Sequence, residues 1–97
     1  MKALLNLAAD LIEQKGWTQG AMALDAAGTP TKALSPDAVC YCTLGALAKA
    51  AGGHERVEGR LVSTLAKQLK VYSIVDWNDT PGRTKEEVIA ALRGKPL

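Results

Sequence analysis

The side chains best suited to chemistry or binding are concentrated between residues 75 and 88, in the sequence VDWNDTPGRTKEEV. This stretch contains Trp77, Asn78, two nearby carboxylates at Asp76 and Asp79, and the guanidinium of Arg83. These groups supply stacking, directional hydrogen bonds and charge, which are what a polar ligand or a protein partner requires. The stretch is therefore predicted to be either a structural corner or a binding surface.

A second aromatic loop, with the sequence GWTQG, spans residues 16–20. The functional hypothesis is that the two loops line one pocket for a ligand or partner, built from Trp17, Gln19, Trp77, Asn78, Asp79 and Arg83. The structural alternative is that both indoles close the ends of an Ala-rich core, with each N–H bonded to a carbonyl. Arg83 would then pair with Asp76 or Asp79 on the surface. The scarcity of aromatic residues favours the structural alternative.

The two cysteines raise the possibility of nucleophilic catalysis. Cys42 with His54 could form a thiol–imidazole pair, and a helix that begins at Pro36 would lower the pKa of Cys40 and Cys42 through its dipole. However, cysteine is commonly a small buried hydrophobic residue. A disulfide across one intervening residue would be strained, so free thiols in a reducing compartment are expected. No catalytic residue is assigned, and a Cys-dependent hydrolase is the least favoured hypothesis.

Neither a metal nor a cofactor is predicted. Two Cys and one His fall short of a four-ligand zinc site, and the sequence contains no phosphate-binding glycine loop. The net charge is +2, from 12 basic and 10 acidic residues, which gives no support to nucleic-acid binding. The apolar run at the N-terminus is interrupted by Asn6 and Asp10 and is too short to cross a bilayer. A cytoplasmic protein without a membrane segment is expected.

The predicted elements form an α+β fold, mostly α, in which four helices pack with a small β-hairpin or short sheet. All 97 residues are assigned to a single compact domain. Apolar periodicity and capping residues predict helices over residues 2–14, 35–51, 54–70 and 84–93. A strand is predicted over residues 71–75, and it is expected to pair with the hairpin arms in a short sheet.

Local signals set the ends of these elements. Gly16 suits the end of the first helix, and Thr84 with Glu87 has capping-box spacing at the start of the last. Asp25 and Gly28 suit the turn of a hairpin whose second arm Pro30 confines to a sheet edge. The inward stripe of the third helix is assigned to Val57, Leu61, Leu65 and Leu69, supported by Val62 and Ala66.

The order of motifs resembles an uncharacterised family of small bacterial and phage proteins, catalogued as a domain of unknown function. The resemblance spans nearly the whole chain and is carried by GWxQG at residues 16–20, CxxGAL at 42–47, WND at 77–79 and RTxxEV at 83–88. Family members usually have Trp where this chain has Tyr41, a mild aromatic exchange. The resemblance implies a cytoplasmic location and a bacterial or phage setting. It implies no activity.

The leading hypothesis is therefore a non-enzymatic binding protein of bacterial or phage origin that acts through a protein partner or by self-association. The absence of a coherent catalytic set and the Ala- and Gly-rich helix around Gly45 favour this interpretation. The alternative is a protein that binds or sequesters an anionic or aromatic metabolite through Trp17, Trp77 and Arg83.

Overall fold

The computed structural model describes residues 1–96. These residues form five helices and three two-residue strands: α1 (Lys2–Lys15), β1 (Ala23–Leu24), β2 (Pro30–Thr31), β3 (Cys40–Tyr41), α2 (Thr43–Ala50), α3 (Glu55–Leu69), α4 (Ile74–Asn78) and α5 (Lys85–Leu92). The α+β, mostly α fold class is confirmed. The fifth helix is α4, which the sequence did not predict.

The core lies where α1 packs against α2 and α5, and it is built from small aliphatic side chains. Its fully buried members include Ile12, Leu47, Leu61, Leu65 and Leu92. In α1 the buried residues are Leu5, Ala8, Ala9 and Ile12, while Leu7 is 43% exposed. In α3 the predicted stripe packs on the core: Leu61 and Leu65 are fully buried, and Val57, Val62, Ala66 and Leu69 are partly buried against them.

The small sheet is antiparallel, with strand order β2-β1-β3. The predicted hairpin is confirmed, because β1 pairs with β2 and Gly28 takes a left-handed conformation (φ 81°) in the turn. Asp25 holds this turn through hydrogen bonds of 2.9 Å from the Ala27 and Thr29 amides to its carboxylate. Pro30 lies in the edge strand β2, as predicted, where its missing N–H interrupts no ladder.

The predicted start of the second helix at Ser35 is wrong. Ser35 Oγ accepts a 3.1 Å hydrogen bond from the Asp37 amide, but it closes only a local turn. The chain then runs as β3, where Tyr41 pairs with Ala23 and is 1% exposed. Burial of this aromatic side chain and pairing with β1 override a good local capping signal. Helix α2 begins eight residues later, at Thr43.

The predicted strand over residues 71–75 is also wrong, and it does not join the sheet. Lys70 ends α3 in a left-handed conformation (φ 58°), and the Val71 amide donates to Ala66 O at 3.0 Å. Ser73 Oγ then accepts a 3.1 Å hydrogen bond from the Asp76 amide and caps α4. Local capping at both ends therefore turns this β-branched run into a helix junction.

Helix α5 has the predicted N-terminus. Thr84 Oγ1 accepts a 3.1 Å hydrogen bond from the Glu87 amide, and Glu87 Oε1 accepts a 2.9 Å hydrogen bond from the Thr84 amide. This is a complete capping box. It fixes where the chain leaves the 79–83 turn, and so it positions Arg83 beside α4.

Candidate functional site

Asn78, at the end of α4, is the hub of the predicted site and is completely buried. Its Oδ1 accepts hydrogen bonds from Trp17 Nε1 at 2.8 Å, from the Thr43 amide at 2.8 Å and from Thr43 Oγ1 at 2.6 Å. Thr43 is the first residue of α2. One amide oxygen therefore joins the loop after α1, the start of α2 and the end of α4.

The remaining polar groups of the two loops bind each other. Asn78 Nδ2 donates to Thr18 O at 3.1 Å and to Asp79 Oδ1 at 2.9 Å. The same Asp79 oxygen accepts a 3.1 Å hydrogen bond from the Gly20 amide. Gln19 Nε2 donates to Asn78 O at 2.9 Å and to Thr80 O at 3.2 Å. The loops at 17–20 and 78–80 are thus held together by side chain–backbone hydrogen bonds in both directions.

This network explains Trp17, Gln19, Asn78 and Asp79 as a structural corner. Across residues 1–96, no buried side-chain nitrogen or oxygen lacks a hydrogen-bond partner. The Trp17 N–H does bond to a carbonyl, although it is that of the Asn78 side chain rather than the backbone. Gln19 and Asp79 are still exposed to solvent. A binding role for these four residues stays a prediction.

Trp77 and Arg83 form a separate pair on α4 and the following turn. The guanidinium carbon of Arg83 lies 4.2 Å from the Trp77 ring centroid, in a cation–π arrangement. Arg83 Nε donates to Trp77 O at 3.0 Å, and an outer nitrogen lies 3.6 Å from Glu87. The surface partner of Arg83 is therefore Glu87, not the predicted Asp76 or Asp79. The pair covers the buried indole and fixes the exit from α4.

The two indoles are joined through Asn78 and do not face a shared cleft. Trp77 borders a cleft of about 480 Å³ whose lining includes Tyr72, Asp76, Thr80 and Arg83, and Trp17 is not among its described lining residues. Trp17 is half-buried, and its indole N–H bonds to Asn78 Oδ1. The structure thus joins Trp17, Gln19, Asn78 and Asp79 in one hydrogen-bonded network and places Trp77 and Arg83 in a separate cleft.

Cys42 is the N-cap of α2 and not a residue of its first two turns. It is 4% exposed, and its Sγ accepts a 3.2 Å hydrogen bond from the Gly45 amide. Burial raises the pKa of the Cys42 thiol in spite of the lowering effect of this hydrogen bond, opposite to the predicted direction. A buried neutral thiol is a poor nucleophile. Both cysteines are free, as expected.

No metal centre is formed by the described part of the chain. Among residues 1–96, no group of three or more His, Cys, Asp or Glu side chains is placed to hold an ion. The helices of the same residues are also too short or too polar to cross a bilayer.

Sequence reasoning missed the most exposed aromatic residue. Tyr72, in the junction between α3 and α4, is fully exposed (108% of its reference area). Tyr72 borders the Trp77 cleft on one side and a groove along α3 on the other. We call the residues of these two clefts the Tyr72 surface.

Two local signals could have located this surface. Ser73 and Asp76 have the spacing of an N-cap and an acid in the first turn, which predicts a helix from residue 74 and not a strand. Lys70 is then placed at the end of α3, so Tyr72 falls in a two-helix junction. A large aromatic residue between two capping signals has no helical or strand face to bury it.

A family model, described as a family of unknown function (DUF6197), matches residues 1–94. No curated protein and no solved structure matches the chain closely enough to indicate a relationship.

Proposed function

This chain belongs to DUF6197, a family of unknown function, and from its surface we propose that it is a non-enzymatic interaction protein. It acts through a protein partner or by self-association. The bacterial or phage cytoplasm is the proposed setting, as the sequence resemblance implies. In this proposal the polar corner around Asn78 stabilises the fold, and the Tyr72 surface binds the partner.

One observation carries this proposal: Tyr72 is fully exposed between two clefts. The chain has only four aromatic residues, of which Tyr41 and Trp77 are buried in the core. An exposed tyrosine buries no apolar area, although this Ala-rich core has few large side chains to stabilise it. Tyrosine is enriched at protein interfaces, because its ring supplies contact area and its hydroxyl a hydrogen bond.

The nucleophile hypothesis receives less support. Cys42 is buried behind the helix that it caps, and burial raises its pKa. The negative charge of Asp79 raises the pKa of Cys42 further. The Asp79 carboxylate is already bonded to Asn78 and Gly20. An active thiol needs the opposite environment, with nearby positive charge and access.

A second candidate function is the binding of a small anionic or aromatic molecule in the Trp77 cleft. Its favouring observation is that two aromatic side chains, Tyr72 and Trp77, line one cleft of about 480 Å³ together with Arg83. This volume lies within the usual range of ligand sites. However, the guanidinium of Arg83 is already stacked on Trp77 and paired with Glu87, so a ligand must compete with these contacts.

The experiment that tests the leading proposal compares the wild type with a Tyr72→Ser variant. Both proteins are immobilised, exposed to bacterial lysate and also measured for mass in solution. Because the Tyr72 side chain is fully exposed, it adds nothing to the core. The variant should therefore retain the wild-type circular dichroism spectrum and melting temperature. The expected result is a specific partner, or self-association, that the wild type shows and the variant loses. Leu7→Ser, which changes an exposed apolar residue of α1, is the matched control.

Two results would overturn the proposal. One is a wild-type protein that stays monomeric and retains nothing from the lysate. The other is binding that Tyr72→Ser and Leu7→Ser leave equally intact. A change in tryptophan fluorescence with a metabolite panel, lost on Arg83→Ala, would instead favour the small-molecule alternative.

A further inference from the structure

We infer that two copies of this chain pair through antiparallel α3 helices. The inference rests on the proposed function, because it names the partner as a second copy of the chain. It concerns the groove that runs along the outer face of α3 beside Tyr72. This groove has a volume of about 920 Å³ and is lined along the helix by Glu55, Glu58, Gly59, Val62, Ser63, Ala66, Lys67 and Lys70.

The middle of the groove is shaped for the close approach of a second helix. Gly59, Ser63 and Ala66 present almost no side chain there, and Val62 adds a half-buried apolar surface. A Cβ added at Gly59 would meet no atom within 4 Å, so nothing in the fold requires glycine at this position. Glycine inside a helix weakens the helix. A partner that needs the space gives this residue a purpose.

The charges of the groove indicate what the partner is. Glu55 and Glu58 line one end, and Lys67 and Lys70 line the other. The spacings are symmetric about the point between Val62 and Ser63. An antiparallel second copy therefore places its Lys70 opposite Glu55 and its Lys67 opposite Glu58. A parallel copy would place like charges together, so this groove is complementary to itself only in the antiparallel orientation.

This self-complementarity is the property that a two-fold symmetric interface requires, because each residue must meet its counterpart in both directions. The same alignment sets Gly59 against Ala66 of the second copy, and Val62 against its Ser63. Small residues then face small residues where the helix axes are closest, at the usual separation of about 8–10 Å. The other exposed charges of α3, Arg56 and Arg60, do not line the groove.

Tyr72 completes the interface at the basic end of each groove. It lies just beyond Lys70 and is fully exposed. In the antiparallel arrangement the N-terminal turn of the second copy's α3 approaches this position and covers the ring. One helix of 15 residues is about 22 Å long. A contact of this length forms a small interface, so a reversible dimer is expected and not a permanent one.

The test uses charge reversal in the full chain. Glu58→Lys places lysines opposite each other at both symmetric contacts, and Lys67→Glu places glutamates opposite each other. Sedimentation equilibrium at low salt should show a concentration-dependent dimer for the wild type. Each variant should dissociate at concentrations about tenfold or more above wild type, a factor that corresponds to 1.4 kcal/mol. An equimolar mixture of the two variants should dimerise again, because both contacts then join opposite charges.

Two controls separate this interface from general electrostatics and from misfolding. Glu86→Lys reverses an exposed charge on α5, outside the groove, and should leave the dimer intact. Circular dichroism of both α3 variants should match the wild type, since both positions lie at the helix surface. The mixture is itself a folding control, because unfolded variants could not restore each other.

Three results would overturn the inference: a wild type that is monomeric at high concentration, a dimer that is unaffected by either reversal, or a mixture that stays monomeric. These results do not decide the proposed function. If Tyr72-dependent capture of another protein persists while the chain is monomeric, the interaction function stands and only the identity of the partner as a second copy fails.

Discussion

Trp17 and Asn78 are separated by 61 positions in sequence, yet the indole Nε1 donates a 2.8 Å hydrogen bond to the Asn78 side-chain oxygen. The same oxygen holds the first residue of α2 through the Thr43 amide and hydroxyl. Because Asn78 is completely buried, neither water nor another side chain can replace it at low cost. This bond is the reason that two loops with ligand-like composition act as one structural corner.

The first prediction concerns Asn78. Asn78→Ala leaves the Trp17 and Thr43 donors without their acceptor, and each unsatisfied buried group costs about 1–3 kcal/mol. We expect a loss of at least about 2 kcal/mol in the free energy of unfolding, a large share of the roughly 5–15 kcal/mol of a typical domain. Urea denaturation followed by tryptophan fluorescence measures it. Asn6→Ala is the control, since Asn6 makes only a 3.4 Å hydrogen bond to Arg93. Equal losses for both variants would contradict the hub role of Asn78.

The second prediction compares two glycines in helices. A Cβ at Gly45 would overlap the carbonyl oxygen of Met22 and lie 2.9 Å from its carbonyl carbon. Backbone cannot rotate away as a side chain can, so Gly45→Ala should destabilise the fold by about 3 kcal/mol or more. At Gly59 the added methyl group meets nothing. Gly59→Ala should therefore stabilise the monomer by about 0.5–1 kcal/mol through helix propensity.

Thermal melts at protein concentrations too low for association measure both glycine variants. For a domain of this size, 1 kcal/mol shifts the melting temperature by about 4–8 °C. The predicted shifts have opposite signs, so each variant is a control for the other. A tolerated Gly45→Ala would mean that α2 and the segment before β1 do not approach as closely as described.

The third prediction concerns the pair of Arg83 and Trp77. Arg83→Ala removes the stacked guanidinium, a hydrogen bond to Trp77 O and the contact with Glu87, which together should cost about 1–2 kcal/mol. Arg83→Lys keeps the charge but loses the planar stacking, so an intermediate loss is expected. Acrylamide quenching of tryptophan should also increase, since Trp77 loses its cover. Arg60→Ala, at an exposed position of α3, controls for the loss of a surface charge. If Lys at position 83 were as good as Arg, stacking would have no role.

The fourth prediction is a loss of stability at alkaline pH through Cys42. Burial raises the pKa of its thiol in the folded state, so the unfolded chain releases the proton first. The free energy of unfolding should therefore be at its full value below the ordinary thiol pKa of about 8.5 and fall as pH rises from there through the folded-state pKa. Urea titrations at a series of pH values measure this slope.

The Cys42→Ser variant separates this effect from other titrations. A serine hydroxyl can cap α2 but does not ionise in this range, so the fall that begins near the thiol pKa should disappear. A loss at still higher pH should persist, because burial also raises the pKa of Tyr41. Cys40→Ser, which leaves Cys42 in place, is the matched control and should retain the slope. Thiol labelling should reach Cys40 before Cys42, since only Cys42 is fully buried. Rapid labelling of Cys42 at neutral pH would contradict its burial and revive the nucleophile hypothesis.

Sequence patterns predicted the elements whose signals are local. The hairpin at Asp25–Gly28, the end of α1 at Gly16 and the capping box of Thr84 and Glu87 depend on residues within four positions of each other. Such signals need no distant partner, so they can be recognised without a tertiary structure. The α+β class followed from them.

Patterns were misleading where two local interpretations competed. Ser35 has good capping chemistry, but no helix starts there, and Cys40–Tyr41 forms β3, since pairing with β1 buries the aromatic ring. Residues 71–75 read as a strand, yet Ser73 starts a helix there. Packing decided the first case, and the local caps at Lys70 and Ser73 decided the second.

By itself, the sequence determined which side chains carry the polar corner, because Trp17, Gln19, Asn78 and Asp79 stand out by type within two loops. Only the tertiary structure decided what they do, since a hydrogen bond across 61 positions has no signature in either loop. It also decided which residues remain available, by satisfying the predicted site internally and leaving Tyr72 and the α3 groove in solvent. Exposure is a property of the packed chain, and no residue carries it alone.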